Sequence, residues 1–195
     1  MINKNAVLNF DERELKKLAK PYLDSARAGD WKHALRVVEW VKDLGEGRDD
    51  LYLLITAGYL HDIGWSGIAP NSKLTLADIR KLEPRANKNS FELIPEVLSK
   101  LKFTNQEQDI VFRLVAAADK YQSKKDDEII IVDADNLSKL CFDHVNEKFT
   151  QQDFSIVIKH FEEDLPSRVK SKKAKELLPK LLVDLKSQLK IHEIQ

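Results

Sequence analysis

Apolar residues recur along this chain at three- and four-residue spacing, a period that predicts helices almost from end to end. The pattern places a first helix over about 11–27. A second begins at Trp31, with Asp30 placed to cap it, and stops near Gly45. A third covers about 50–62, with Gly64 positioned to terminate it. Further helices are expected over about 74–83, 88–101, 105–121, 128–148, 151–163 and 167–190. One segment pulls the other way. IIIV at 129–132 is a β-branched run that propensity alone makes a short buried strand, so a helix there has to be imposed by packing. Alternating strand patterns are otherwise nearly absent, and only six glycines and six prolines interrupt the chain. The expectation is an all-α, compact helical bundle of about eight or nine helices.

Length and charge narrow the function classes. A chain of 195 residues suits one domain, 1–195, with a substantial core. Its 32 Lys and Arg cancel 32 Asp and Glu, so no overall field points to nucleic acid or to an anionic membrane. The single cysteine, Cys141, excludes an internal disulfide and fits a reducing compartment. The opening MINKNAVLNFDERELKK lacks the apolar stretch of a signal peptide, and the longest apolar run, 51–60, is too short to span a bilayer. A cytoplasmic protein with no membrane partner is expected, and a homo-oligomer is compatible with the sequence. Charge is uneven only from Leu165 to Lys190, where eight Lys or Arg face two acids, Glu176 and Asp184. A stripe of Leu178, Leu181, Leu182, Leu185 and Leu189 there reads most simply as a helix packed on the domain with its charge outward.

Four side chains stand out against this background. His33 falls within the broad apolar face of DWKHALRVVEWVKDLG. His61 and Asp62 follow the apolar run LYLLITAGYL, where an uncompensated carboxylate would cost several kcal/mol. Adjacent helical residues point about 100° apart, but a loosened last turn lets a short Asp and a longer His converge, and Gly64 permits that loosening. In IIIVDADNLSKL, helical geometry puts Asp135 on the face of Ile131 and Phe142, and turns Asp133 away by about 200°. Taken singly, each has an ordinary reading: a core histidine bonded to a carbonyl, a solvated helix end, an Asx cap. Together they are two imidazoles and two carboxylates, a mixed N/O set that suits Mn²⁺, Fe²⁺, Zn²⁺ or Ni²⁺ better than Ca²⁺.

The order H…HD…D, carried by KHALRV, LHDIG and DADNLSKL, resembles the HD-domain metal-dependent phosphohydrolase superfamily. The tail LPSRVKSKKAKELL is similar to the closing helix of its small bacterial and archaeal members. The resemblance implies one HD-type helical domain, with core motifs over 31–140 and closing helices over 150–190. It implies that His33, His61, Asp62 and Asp135 are metal ligands, Asp135 rather than Asp133 because it directly precedes the polar–Leu step Asn136-Leu137. Asp133 then becomes a carboxylate that orients a ligand. Two-metal members carry further histidines, where this chain has Asn87 and Ala118-Asp119, so one divalent ion is expected: Mn, Fe, Zn, Ni or Co, with Mg admissible. Other members place an acidic pair after the His-Asp. Here Gly64-Trp65-Ser66-Gly67 stands there, which leaves the general base unassigned.

The implied activity is hydrolysis of a phosphate ester in a nucleotide or other small phosphorylated metabolite, with Asp62 as both ligand and catalytic acceptor toward the water. Arg36, Lys73, Arg80, Lys81, Arg85 and Lys88 are the candidates to meet the phosphate. The alternatives are a catalytically degenerate domain that binds metal or nucleotide as a regulator, and a helical module that contacts nucleic acid through the basic C-terminal helix. Trp31, Trp40 and Trp65 are read as core or pocket wall, Cys141 as a small core residue, and His144, His160 and His192 as surface or capping residues.

Overall fold

In a computed structural model, the described residues run from Phe10 to Glu193, with side chains described through Lys190. Among them are nine α-helices and no strand. In chain order these are α1 (Glu12–Asp24), α2 (Asp30–Leu44), α3 (Leu51–Leu60), α4 (Leu76–Leu98), α5 (Asn105–Lys120), α6 (Asp126–Ser138), α7 (Phe142–Lys148), α8 (Phe154–Arg168) and α9 (Lys172–Glu193). Short 3₁₀ turns at Ile63–Trp65 and Gln151–Asp153 join α3 to α4 and α7 to α8. Residues 1–9, the start of the segment read as lacking a signal peptide, and the His192 side chain lie outside the described residues.

Local chemistry starts several helices where the sequence signals them. The Asp11 carboxylate accepts from the Arg13 N–H, the Thr75 hydroxyl accepts from Asp78 N–H, and Thr104 and Glu107 form a reciprocal capping box. Asp30 does not cap α2. Gly29 holds that position with a left-handed φ of 75°, and a Cβ on it would lie 2.7 Å from Glu147 Cβ. Asp30 is instead fully buried, accepting from the Arg27 backbone and guanidinium and contacting Lys148 Nζ.

Two expected boundaries move. Residues 74–83 and 88–101 belong to one helix, α4, which continues through Pro84 because its stripe of Ala86, Ser90, Ile94, Val97 and Leu98 stays buried. Residues 128–148 split into α6 and α7, since Cys141 turns extended (φ −141°, ψ 153°). Phe142 therefore begins a new helix and does not continue the face of Asp135. The IIIV run is helical. Ile130, Ile131 and Val132 are buried in the main core, where packing overrides strand propensity.

That main core is built from α1 to α6, and a second apolar cluster joins the end of α6 to α7, α8 and α9. Trp40 and Leu44 of α2 touch both. Helix α2 packs against both α3 and α6, which brings the three chemistry-bearing segments to one place. Gly64 lets the 3₁₀ turn pack against α4 and does not act as a left-handed helix stop. A Cβ there would stand 2.1 Å from the Ala86 carbonyl oxygen of α4.

Candidate metal centre

His33 projects from the first turns of α2 and is 2 % exposed. His61 follows the last residue of α3, and Asp62 follows it as the chain tightens into the 3₁₀ turn. That change of helical pitch is what lets adjacent residues face one point. Asp135 comes from the last turn of α6.

The functional atoms of these residues converge. His33 Nε2 lies 3.1 Å from His61 Nε2 and 3.2 Å from Asp135 Oδ1. Asp62 Oδ2 is 3.5 Å from His61 Nε2 and 3.7 Å from His33 Nε2, and Asp135 Oδ1 is 3.7 Å from His61 Nε2. The surroundings fix the tautomers. His61 Nδ1–H donates to the Gly58 carbonyl at 2.9 Å, which leaves its Nε2 as a bare lone pair. The Ser138 hydroxyl donates to the Asp135 carbonyl, so its oxygen accepts from His33 Nδ1–H at 3.2 Å. His33 Nε2 is then bare as well. Two ring lone pairs and two carboxylate oxygens thus meet with no proton to share among them. Such a set repels itself unless a cation sits inside it, and His33, His61 and Asp62 form a cluster that could hold a metal ion.

The charge states agree with this chemistry. Burial pushes the His33 imidazole down to about 4, so it is neutral near pH 7. Burial alone would raise both carboxyls. Arg27 and the imidazoles outweigh it at Asp62, and Lys139 with His33 outweighs it at Asp135, so both ionise below the usual carboxylate range. The Arg27 guanidinium donates to Asp62 Oδ2 at 2.6 Å and lies over the Trp65 ring at 3.8 Å; Lys139 Nζ donates to Asp135 Oδ2 at 2.7 Å.

A pocket of about 210 Å³ opens onto the cluster. Asn87, Ala118 and Asp119, the positions where two-metal relatives carry histidines, all line it. Burial and the nearby Asp62, Asp135 and Glu83 push the Asp119 carboxyl up to about 8. Of the phosphate-binding candidates, Arg80 alone lines the pocket. Arg36 pairs with Glu147 at 3.1 Å, while Lys73, Lys81, Arg85 and Lys88 are exposed away from it.

Several pocket residues differ from their sequence reading. His144 is buried, with its ring 4.8 Å from that of His33, because the break at Cys141 swings α7 against α2. His160 is half-buried and lines the pocket. Arg27, Lys139, Lys148 and Arg168 were unmarked in sequence, and only Lys139, one turn past Asp135, carried a local signal. Asp133 does not orient a ligand. It is fully buried and accepts from the Lys170 and Ser171 N–H groups at 2.9 and 2.8 Å, tying down the approach to α9. Trp65 forms pocket wall, and Cys141 is only partly buried.

Fold and geometry together define an all-α protein with a cluster able to take a divalent cation. The chain belongs to the HD-domain metal-dependent phosphohydrolase superfamily, since the family model described as HD domain matches residues 30–140, more than half of its length. No curated protein and no solved structure matches it. No helix among the described residues is long and apolar enough to cross a membrane.

Proposed function

We propose that this protein hydrolyses the phosphate monoester of a small metabolite, with His33, His61, Asp62 and Asp135 holding one divalent ion. The observation that carries the reading is the convergence of two bare imidazole nitrogens and two carboxylate oxygens in a cation-lined pocket. When bound, the ion polarises a phosphoryl oxygen and lowers the pKa of a water. In the overall reaction water adds to phosphorus, the ester P–O bond breaks, and the leaving alkoxide takes a proton to become an alcohol.

The chain's own residues have separable tasks. Ser138 and the Gly58 carbonyl hold the imidazoles in the tautomers that present Nε2. Arg27 and Lys139 keep the two carboxylates ionised and turned inward. Asp119 supplies the proton to the leaving oxygen. Among the described residues it is the one pocket-lining carboxylate with no hydrogen-bond or ion-pair partner; Asp62, Glu83, Asp135 and Asp164 are each engaged. The regulatory alternative rests on the missing further histidines and on the Gly64–Gly67 loop, which offers no carboxylate; Asp119 supplies a carboxylate from α5. The pocket volume favours a compact substrate over a whole nucleotide, which pockets of roughly 300 Å³ and more accommodate.

The test is direct. Purified protein should contain about one transition-metal ion per chain and release inorganic phosphate from small phosphomonoesters. His61→Ala should lose both. Stoichiometric metal without phosphate release from a broad ester panel would overturn the enzymatic reading and favour the regulatory one.

A further inference from the structure

Resting on the phosphohydrolase reading above, we infer that the outer wall of the pocket is a second anion subsite, so that the substrate carries a phosphate or carboxylate besides the phosphoryl group it loses. The wall is built from Arg80 of α4, Tyr121 after α5, Lys139 after α6, and His160 and Arg168 of α8, all lining the same cavity as the acceptor cluster.

Three independent features mark it as a binding surface. The first is backbone geometry. Tyr121 ends α5 in the left-handed region, with φ 51°, the one non-glycine residue there among those described. The N–H groups of Tyr121 and Gln122 close back on the Ala118 and Ala117 carbonyls, the cap that ends a helix in this conformation, with an aromatic residue where glycine is usual. Here the ring lies under the Arg168 guanidinium at 4.0 Å and near Lys139 Nζ at 5.0 Å, while its hydroxyl donates to Glu83 at 3.2 Å. The capped helix end therefore sets a platform on which two cations are positioned.

The second feature is the arrangement of charge. Arg168 is anchored by Asp164 at 3.0 Å, and the same carboxylate lies 3.1 Å from His160 Nδ1, so a single acid serves two bases. Arg80 faces the pocket with no ion-pair partner among the described residues. The charges of Arg168, Arg80 and Lys139 all reach His160, where they add to burial in lowering the imidazole against the pull of Asp164. Of the three cations on this wall, Lys139 is engaged by Asp135 and Arg168 by Asp164, which leaves the charge of Arg80 uncompensated by any ion pair among the described residues.

The third feature is that the inner cations are already committed. Arg27 is bound by Asp30 and Asp62, and Lys148 contacts Asp30. The scissile phosphoryl group would sit at the acceptor cluster with its ion. Arg80, which has no ion-pair partner among the described residues, is left to neutralise something else on the same molecule, with Arg168 lining the same cavity. A cavity of about 210 Å³ suits a compact phosphorylated acid or bisphosphate.

The experiment uses the full chain loaded with Mn²⁺ and three non-hydrolysable probes measured by calorimetry: methylphosphonate, 3-phosphonopropionate and propane-1,3-diphosphonate. In the wild type at least one doubly anionic probe should bind about tenfold or more tighter than methylphosphonate, as expected for a charge-assisted contact in a partly buried site. That ratio should collapse in both Arg80→Gln and Arg168→Gln, and persist in Lys88→Gln, which removes an exposed lysine of the same helix outside the pocket. An advantage confined to the diphosphonate assigns the subsite to a second phosphate; one shared with phosphonopropionate assigns it to a carboxylate. Equal affinity for all three probes in the wild type, or an advantage that survives both arginine substitutions, overturns the inference. Absence of turnover with the advantage intact overturns the enzymatic reading and leaves the subsite standing.

Discussion

His33 Nε2 and His61 Nε2 lie 3.1 Å apart, although 28 residues of chain separate them. Neither can donate to the other while Ser138 and Gly58 hold the opposite ring nitrogens. Ser138 is therefore a positioning residue for the centre. Ser138→Ala frees His33 to place its proton on Nε2, against Asp135. Metal affinity should fall about 10–100-fold, with helix content unchanged by circular dichroism. Unaltered affinity in a metal titration would show that the hydroxyl does not set the tautomer.

The pH dependence of the metal-free protein follows from the same burial. His33 titrates at about 4 in the fold against a reference of 6.5, so the unfolded chain binds the extra proton between these values. Its contribution to stability is whole above pH 6.5 and drains away as pH falls toward 4. Asp62 and Asp135 are depressed below 3.8, so their loss follows at lower pH with the same sign. Asp119, pushed up from 3.8 to about 8, binds its extra proton in the fold over the same range and opposes this loss, so it is in the metal-free Asp119→Asn protein that thermal midpoints should fall steadily through the mildly acidic range. Bound metal, which competes with those protons, should hold the midpoint up to lower pH. A midpoint of that Asp119→Asn protein independent of pH between 6.5 and 4 would contradict the neutral imidazole.

The role given to Asp119 depends on the leaving group. Asp119→Asn should slow hydrolysis of alkyl phosphates, whose alkoxide needs a proton, by about 10²–10⁴-fold. p-Nitrophenyl phosphate, whose phenolate departs unprotonated, should be affected far less, and metal content should stay the same. Equal slowing of both esters would mean that Asp119 acts on something other than the leaving oxygen.

Two acids two residues apart in α6 should respond oppositely. Asp133 accepts two backbone N–H groups ahead of α9, so Asp133→Ala should cost about 1–3 kcal/mol in urea unfolding while metal still binds at full stoichiometry. Asp135→Asn keeps the shape of the side chain but removes charge from the acceptor set, so metal binding should fail in a protein that remains folded.

Much of the helical layout was legible because apolar spacing is a local property that survives in the sequence. The order His33, His61-Asp62, Asp135 was also visible, since family motifs keep residue types at fixed places. Partners that meet through turns were not. The expected 128–148 helix hid the extended residue Cys141, and with it the route that brings His144 against His33. Arg27 and Arg168 reach the pocket from opposite ends of the chain, with nothing nearby in sequence to set them apart from surface arginines. Asp133 read as a helper of the site until the approach to α9 was seen to dock on it.

By itself, the sequence determined a helical chain and the donor atoms available to it, because both follow from residue type and short-range spacing. The tertiary structure decided which lone pairs face one another, which carboxyl stays unpartnered and which cations border the cavity. These depend on distances between segments tens of residues apart, set only when α2, α3 and α6 close on one another.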